Sequence, residues 1–407
     1  MGKRGTFLKF LAPSTVLLFA VFAGYIIHRA SWFNDDKHFS LLALSFLKND
    51  LFLSPINLPG GDYADYFAKQ YLFFGPLPSI ILMPPVALWG KFFPQFTLSI
   101  ASIGIVYFTV FKLCTRFKFK KPDSMWLANF FVFGTVFYFV SLINISAYVV
   151  QALGTAFVFL SLLEYFTKRR FLIIGLLVTA AGATRITLFG ITIFFILEII
   201  RVHKKNLLKP LVYLLIPILI SVALLGIYNH KRFNSIFDTG YTKNVSVLDK
   251  DYYNYVYGWF GNIHIPANLY SLLFMGPEPV RRGDVEFVLE FPYLKANGFG
   301  MAIWLTSPLF VYLIRSKRET YSTSAVIGIA VLLFPSLIYM GIGASQFGYR
   351  YSLDFLPLLF LILLSAFKKG LPETAKILIA AGIVFNCFYM LSIWNSYPLL
   401  DWFEYIN

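Results

Sequence analysis

Charged residues and cysteine are scarce in this chain of 407 residues. Only 14% of the residues are charged and 58% are hydrophobic, whereas soluble proteins carry roughly 25% and roughly 45–50%. The shortage of charge excludes an ordinary soluble domain, because so much apolar surface needs lipid as its solvent. The two cysteines, Cys114 and Cys387, both lie in apolar runs. They are too few for a disulfide framework and have no metal-site spacing.

The charge that is present is mostly basic, with 35 Lys and Arg against 20 Asp and Glu, a net charge of +15. The basic residues form six short clusters between apolar runs, which is typical of the cytoplasmic loops of a membrane protein. We therefore expect a membrane and no nucleic acid as a partner. The apolar run 7–28 is long enough to span and lacks a small-residue cleavage site, so it predicts an uncleaved first helix.

Charge parity predicts the topology of the eleven apolar runs. If all six basic clusters face the cytoplasm, an even number of crossings separates each neighbouring pair. Three runs lie between the first two clusters, so one of them cannot cross. Run 72–90 contains one glycine and four prolines in its first 14 residues, and proline removes a backbone donor that lipid cannot replace. We therefore predict a juxtamembrane or re-entrant helix there.

The run 171–200 is too long for a single crossing, at about 45 Å against a hydrocarbon core of about 30 Å. Arg185 lies at its midpoint, where a lone arginine costs roughly 2.5–3.5 kcal/mol. Two short crossings with Arg185 at the outward turn satisfy both parity and energy. The prediction is an all-α polytopic protein with about eleven spans, its N-terminus inside and its C-terminus outside. We treat 1–407 as one transmembrane domain, with long outward loops at about 29–94 and 229–298.

Asp35 and Asp36 follow the first predicted helix directly, before a stretch suited to an amphipathic interfacial helix. Either acid could cap that helix, and the second would then remain unexplained. Two adjacent acids should also raise each other's pKa, which suits a general base. Helix capping and catalysis are both open for this pair.

Basic residues at the predicted outward ends of helices suit an anion. Arg185 has no acid nearby in sequence, so an anion or a distant acid must satisfy its charge. Arg350 has Asp354 four residues later, and an i,i+4 ion pair is the alternative to anion binding there. Arg232 is the third such position. Lone bases at this level favour a lipid-linked phosphate.

The residues of the first predicted outward loop resemble the first loop of GT-C glycosyltransferases, such as protein O-mannosyltransferases and lipid A aminoarabinose transferases. The features that resemble it are the Asp pair, the amphipathic stretch, the acidic-aromatic segment GGDYADYFAKQYLFFG and the proline-rich return. YNHKRFNSIFDTGY and SQFGYRYSLDFLPL resemble later outward segments. The resemblance implies a GT-C fold with juxtamembrane helices in the first loop, in the bacterial cytoplasmic (inner) membrane.

The resemblance also implies an inverting transfer of a sugar from a polyprenyl-phosphate donor to a glycan, lipid or protein acceptor on the outer face. Asp35 would be the base and Asp36 its catalytic partner. A glutamate found in relatives is absent, so no metal ligand is assigned and a divalent metal stays open as a cofactor. The candidate ligands of the donor phosphate are Arg185, Arg350 and Lys69. The candidate substrate contacts are Tyr71, Arg232, Tyr241 and Tyr351.

Two other functions fit parts of the sequence. A multi-pass transporter of a small or lipid-linked anion would explain a deep Arg185, although the acids gather in loops rather than at mid-membrane. A lipid-linked polysaccharide ligase or polymerase would use a large late loop with Arg and His, and the loop 229–298 contains both. An internal repeat would favour transport.

Overall fold

A computed structural model describes residues 12–30, 36–53, 62–243, 258–282, 285–343 and 346–394 of the chain. These ranges are mostly helical. The helices, in chain order, are α1 Pro13–Ala30, α2 His38–Leu47, α3 Leu77–Trp89, α4 Phe96–Arg116, α5 Lys121–Phe133, α6 Val136–Leu142, α7 Ser146–Thr167, α8 Phe171–Thr184, α9 Thr192–His203, α10 Leu208–Phe233, α11 Ile265–Leu273, α12 Ile303–Thr306, α13 Ser322–Ile338, α14 Leu356–Leu364 and α15 Glu373–Trp394. Longer 3₁₀ segments are Ile186–Ile191, Pro308–Arg315 and Arg350–Asp354.

Five helices within the described ranges are long and apolar enough to cross a membrane, or six if α5 and α6, bent by 60°, form one span. They are α4, α7, Ile186–His203, α10 and the first 20 residues of α15. The predicted number of about eleven is not confirmed. Several predicted crossings are instead shorter apolar helices, such as Ser322–Ile338, and the run 299–314 is divided between α12 and a 3₁₀ segment.

Helix α7 lies at the centre of the fold, with 83% of its most apolar stretch buried inside the protein. It packs between α4 and α8. An aromatic cluster surrounds it, in which the Phe131 ring lies edge-on 4.5 Å from Phe159 and 5.5 Å from Phe360. Such pairs add about 0.5–1.5 kcal/mol each beyond their buried area. The two ends of α7 therefore stand on a rigid core.

The first loop contains two short helices that pack on each other and on the start of α7. Phe39 of α2 and Leu82 of α3 share a buried cluster with Val149. The 13 residues of α3 extend about 20 Å, which is too short to cross the hydrocarbon core. This agrees with the juxtamembrane placement that the prolines predicted.

Within the described ranges two β-hairpins interrupt the helices, and the expectation of helix alone missed both. The first pairs β1, Tyr63–Tyr66, with β2, Lys69–Leu72. The second pairs β3, Glu278–Arg282, with β4, Val285–Lys295. Phe67 and Ala68 close the first hairpin with φ angles of 48° and 57°. Such a turn normally carries Asn-Gly, so Phe67 and Ala68 are not a turn signal.

The helical run 171–200 breaks at Arg185, where the sequence predicted a turn. Helix α8 ends at Thr184, and Arg185 has extended backbone angles, φ −144° and ψ 113°. A 3₁₀ segment then leads into α9. The break places Arg185 at the end of two apolar segments rather than inside one.

The polar residues separate to the two ends of α7, which are about 33 Å apart. At the C-terminal end Glu164 pairs with Arg170 at 2.8 Å, and Tyr165 donates to Glu198 at 2.6 Å. Arg116 donates to the Phe166 carbonyl at 2.8 Å. We call this end, which carries Arg116, Arg170 and Arg201, the basic face. The acids of the first loop lie at the other end.

Candidate active site

Asp36 caps the N-terminus of α7. Its Oδ2 accepts a hydrogen bond of 2.8 Å from the Ser146 backbone N–H. Nδ1 of His38 lies 3.5 Å from the same oxygen. The cap therefore serves a helix 110 residues away rather than α2, where Lys37 is the N-cap residue and makes no side-chain cap. Asp35 lies outside the described residues.

The carboxyl of Asp36 is held in its ionised form. Burial raises its pKa, but His38 and the Ser146 N–H and hydroxyl outweigh burial, so the pKa lies below its ordinary value. The expectation that the adjacent acids would raise the pKa of Asp36 is therefore wrong. A helix N-terminus favours the carboxylate through its free N–H groups and dipole.

Asp62 is the second carboxylate at this helix end. Its Oδ2 accepts a hydrogen bond of 3.3 Å from the Ala147 N–H. Burial raises the pKa of Asp62, the positive charge of Arg350 opposes that rise, and repulsion from Asp36 adds to it. The two acids therefore differ in protonation tendency, although they share one helix end. Such a pair suits acid–base chemistry.

A buried polar network fixes this end of α7 to the first loop. Nδ1 of His38 lies 2.9 Å from the Ser146 hydroxyl oxygen, and Gln95 Nε2 donates to that oxygen at 3.2 Å. Gln95 in turn accepts from the Phe39 N–H at 2.9 Å. These bonds join α2, the start of α4 and the start of α7, so the acids are held by packed elements rather than by a free loop.

Arg350 stands beside the acids with part of its hydrogen-bonding capacity unused. Its guanidinium carbon lies 5.3 Å from the Tyr148 ring and 4.7 Å from the Tyr351 ring. Nη1 donates to Gln151 at 3.5 Å and Nη2 to the Tyr351 hydroxyl at 3.4 Å. Within the described ranges, Arg350 Nε and Gln151 Nε2 are buried donors without an acceptor. An oxygen-rich ligand would supply one.

Asp354 does not pair with Arg350 but with Arg185. Arg185 Nε donates to its two carboxylate oxygens at 2.8 and 3.1 Å, and Thr187 donates at 2.7 Å. The Asp354 side chain is 2% exposed and that of Arg185 15%. A distant acid therefore satisfies Arg185. Its hydrogen bonds use Nε alone, and its Nη groups make none to any described residue.

A cavity of about 550 Å³ opens where α8, α10 and the segment after β2 meet. Arg185 and Arg232 both line it, together with Tyr241 and Tyr351. Arg232 donates to the Leu72 carbonyl at 2.7 Å and is held by Asn229 at 2.8 Å. Burial raises the pKa of Tyr241 to about 12, so its hydroxyl stays protonated as a donor. Four of the predicted site residues thus share one cavity.

Four predicted residues lie away from that cavity: Asp36 and Arg350 stand at the start of α7, and Lys69 and Tyr71 lie on the first hairpin. Lys69 is exposed on the first hairpin, with Nζ 4.7 Å from the Phe52 ring. The buried Tyr71 ring packs 5.3 Å from Phe233 and supports the cavity wall from behind. None of the four is among the lining residues.

Sequence reasoning assigned Asp62 no role, took Asp354 only as a possible ion-pair partner of Arg350, and did not consider His38. Asp62 follows two glycines in the sequence. This pattern weakly predicts a turn, and nothing in it indicates that Asp62 would lie at the end of a helix. The partner of Asp62 is residue 147 and that of Asp354 is residue 185. Within the described ranges no three His, Cys, Asp or Glu side chains are placed to share a metal ion.

The fold is similar to those of two solved structures, each matched over 93% of this chain. The crystal structure of ArnT from Cupriavidus metallidurans bound to undecaprenyl phosphate has a TM-score of 0.54 and 12% identity. The archaeal oligosaccharyltransferase AglB from Archaeoglobus fulgidus, in complex with an inhibitory peptide and a dolichol-phosphate, has a TM-score of 0.43 and 14% identity. This chain spans 64% of the ArnT chain and 55% of the AglB chain.

No family model matches the sequence, and no curated protein matches it. The likeness to ArnT therefore establishes the fold. The chain has an ArnT-like fold, which agrees with the fold that the first loop's resemblance implies.

Proposed function

We propose that the protein is a membrane glycosyltransferase that moves a sugar from a polyprenyl-phosphate donor to an acceptor hydroxyl. The observation that carries the proposal is the pairing of Asp36 and Asp62 at the start of α7, beside a partly unsatisfied Arg350. Such a site combines a carboxylate that can act as a base with an arginine that can bind an anion or a hydroxyl group. The undecaprenyl phosphate of the structurally similar ArnT is consistent with this donor class.

The donor phosphate would lie in the 550 Å³ cavity between Arg185 and Arg232. Arginine suits phosphate because its planar donors match the phosphate oxygens. A second, mostly apolar cavity of about 400 Å³ shares Ile186, Leu225 and three other lining residues with the first. It lies along α10, whose side chains Ile220, Val222 and Leu224 are at least half exposed. This groove offers the prenyl chain a path to the lipid.

The reaction would be an inverting displacement at the anomeric carbon. A first-loop carboxylate takes the proton of the acceptor hydroxyl, whose oxygen bonds to the anomeric carbon as the bond to the lipid phosphate breaks. The phosphate leaves with the electron pair and is stabilised by Arg185 and Arg232, which line its cavity. General-base catalysis contributes about 10²–10⁴-fold, and electrostatic stabilisation of the leaving phosphate adds to it.

Asp36 and Asp62 have different roles because their surroundings differ. Asp36, with its lowered pKa and its bond to the Ser146 N–H, acts as a positioning residue. The raised pKa of Asp62 brings it closer to the operating pH, as a base requires. Asp35, the base that the resemblance implies, remains the other candidate for that role.

The site would face the outer side of a bacterial cytoplasmic membrane. The basic face at Arg116, Arg170 and Arg201 is at the opposite end of α7. Basic residues favour the cytoplasmic side. The N-terminus would then lie inside and the C-terminus outside.

The test is sugar transfer from labelled undecaprenyl-phosphate sugars in membranes that contain Asp62→Asn, Asp36→Asn or Asp35→Asn. Asp65→Asn is the matched control, because Asp65 is exposed on the hairpin that directly follows Asp62. We expect loss of about 10²-fold or more for the base variant, a smaller loss for Asp36→Asn and none for the control. Full transfer by all three test variants, at normal protein abundance, would contradict the assignment.

A further inference from the structure

A third cavity lies at the basic face and has no part in the proposed reaction. Its volume is about 1080 Å³, and its walls come from the ends of α4 and α14, the start of α5 and the segments around Arg315 and Lys369. Phe117 of this cavity packs 5.0 Å from Phe166, near the C-terminal end of α7. The cavity is therefore about 30 Å from Ser146 along that helix.

Cationic side chains dominate this cavity, which we call the basic pocket. Six bases and two acids line it and leave a formal charge of +4; the bases are Lys118, Lys120, Arg315, Lys368, Lys369 and Lys376. Glu319 pairs with Lys368, and Asp123 accepts a hydrogen bond from the Leu371 N–H at 3.4 Å. Both acids are therefore already engaged.

Four of the six bases have no acidic partner among the residues that the structure describes: Lys118, Lys120, Arg315 and Lys369. They come from three separate segments and converge on one cavity. Helix α5 also begins in its wall, and its N-cap residue makes no side-chain cap. Like charges that converge repel each other unless an anion lies between them.

The floor of the basic pocket is apolar and aromatic. The Phe117 ring lies 5.8 Å from Tyr321, and the Tyr312 ring lies 5.0 Å from Phe367. The guanidinium of Arg315 covers Tyr312 at 5.4 Å. Cations at the rim and aromatic rings below match a molecule with a phosphate head and an apolar body. A freely soluble phosphate would use only the rim.

We propose that the basic pocket binds the phosphate headgroup of an anionic phospholipid from the leaflet at this face. Its position at the ends of α4 and α15 puts the cations at headgroup level. Interfacial lysines and arginines are the groups that attract anionic lipids there. The lipid bridges the three segments and fastens this end of the bundle. This proposal does not depend on the enzymatic activity.

The experiment uses the full chain, purified in detergent and freed of lipid. Native mass spectrometry measures binding of phosphatidylglycerol and phosphatidylcholine. The test variant is Lys120→Gln with Lys369→Gln, and the control is Lys204→Gln with Lys205→Gln. The control lysines are exposed on another basic loop and are not part of the pocket. A second test pair, Lys118→Gln with Arg315→Gln, includes a base from the third segment.

We expect phosphatidylglycerol to bind more tightly than phosphatidylcholine. Each test pair should weaken phosphatidylglycerol binding about 30-fold, since one basic residue near a membrane surface contributes about fivefold. The control pair should leave binding unchanged. Equal losses in test and control pairs would show a diffuse basic surface and overturn the proposal. So would equal binding of the two lipids, or full displacement of the lipid by millimolar pyrophosphate.

Discussion

Removing the charge of Asp354 isolates a buried arginine, and the effect can be worked out from the structure. In Asp354→Asn, Arg185 loses the carboxylate that accepts from its Nε at 2.8 and 3.1 Å. The Thr187 hydroxyl loses a charged acceptor at 2.7 Å. Asp354 is 2% exposed, so water cannot take its place.

The expected loss is about 3 kcal/mol of unfolding free energy. Breaking a buried ion pair by removing one partner costs about 3–5 kcal/mol. We take the lower end because the Arg185 side chain is 15% exposed at the cavity and water can reach it. The ratio of folded to unfolded protein should then fall by roughly a hundredfold. Reversible unfolding by SDS in mixed micelles measures this change.

A double variant separates stability from function. Arg185→Met with Asp354→Leu replaces the pair by apolar side chains of similar size, which is often neutral for stability. We expect most of the lost stability to return, whereas binding of undecaprenyl phosphate should be lost with the Arg185 guanidinium. The reasoning fails if Asp354→Asn unfolds like the unchanged protein. It also fails if the double variant binds undecaprenyl phosphate normally.

Three further predictions concern the first loop and its supports. Gly75→Ala should lower the unfolding free energy by about 1–3 kcal/mol, because a Cβ at Gly75 would stand 2.0 Å from the Ala183 carbonyl oxygen. Gly104→Ala is the control: its Cβ would meet no neighbour within 4 Å, so it should not lower the unfolding free energy. Asp62 has a pKa above its ordinary 3.8, so the folded protein loses stability as pH rises from 3.8 through that raised pKa. Asp62→Asn should therefore be more stable than the unchanged protein at pH 7 but not below pH 3.8. An equal difference in stability at both pH values would refute this. Asp36→Ala should lower the unfolding free energy by about 1 kcal/mol at neutral pH. Because the pKa of Asp36 is lowered, this loss should vanish only as pH falls through that lower pKa. A loss that persists at still lower pH would contradict the prediction.

Local sequence features predicted the breaks in the chain well. The prolines of run 72–90 predicted a helix too short to cross, and α3 has 13 residues. The length of run 171–200 and the central Arg185 predicted the break that the structure has there. In both cases the signal lies within a few residues of the feature: prolines at the start of α3, which then continues through Pro84 and Pro85, and a charge at Arg185 that lipid does not solvate.

Partners distant in sequence could not be predicted. Asp36 was considered as a cap for the helix that follows it, whereas it caps one that begins at Ser146. The expected i,i+4 pair of Arg350 and Asp354 fails because Arg350–Asp354 is a 3₁₀ segment. At three residues per turn, positions i and i+4 point about 120° apart. Such pairings follow from the packing of whole elements, which periodicity alone does not reveal.

The most direct test of the central claim is an experimental structure of the full chain with undecaprenyl phosphate bound. The account predicts the phosphate in the 550 Å³ cavity, in contact with Arg185 or Arg232, with the prenyl chain leaving along α10. A phosphate found only outside that cavity, for example in the basic pocket, would contradict it.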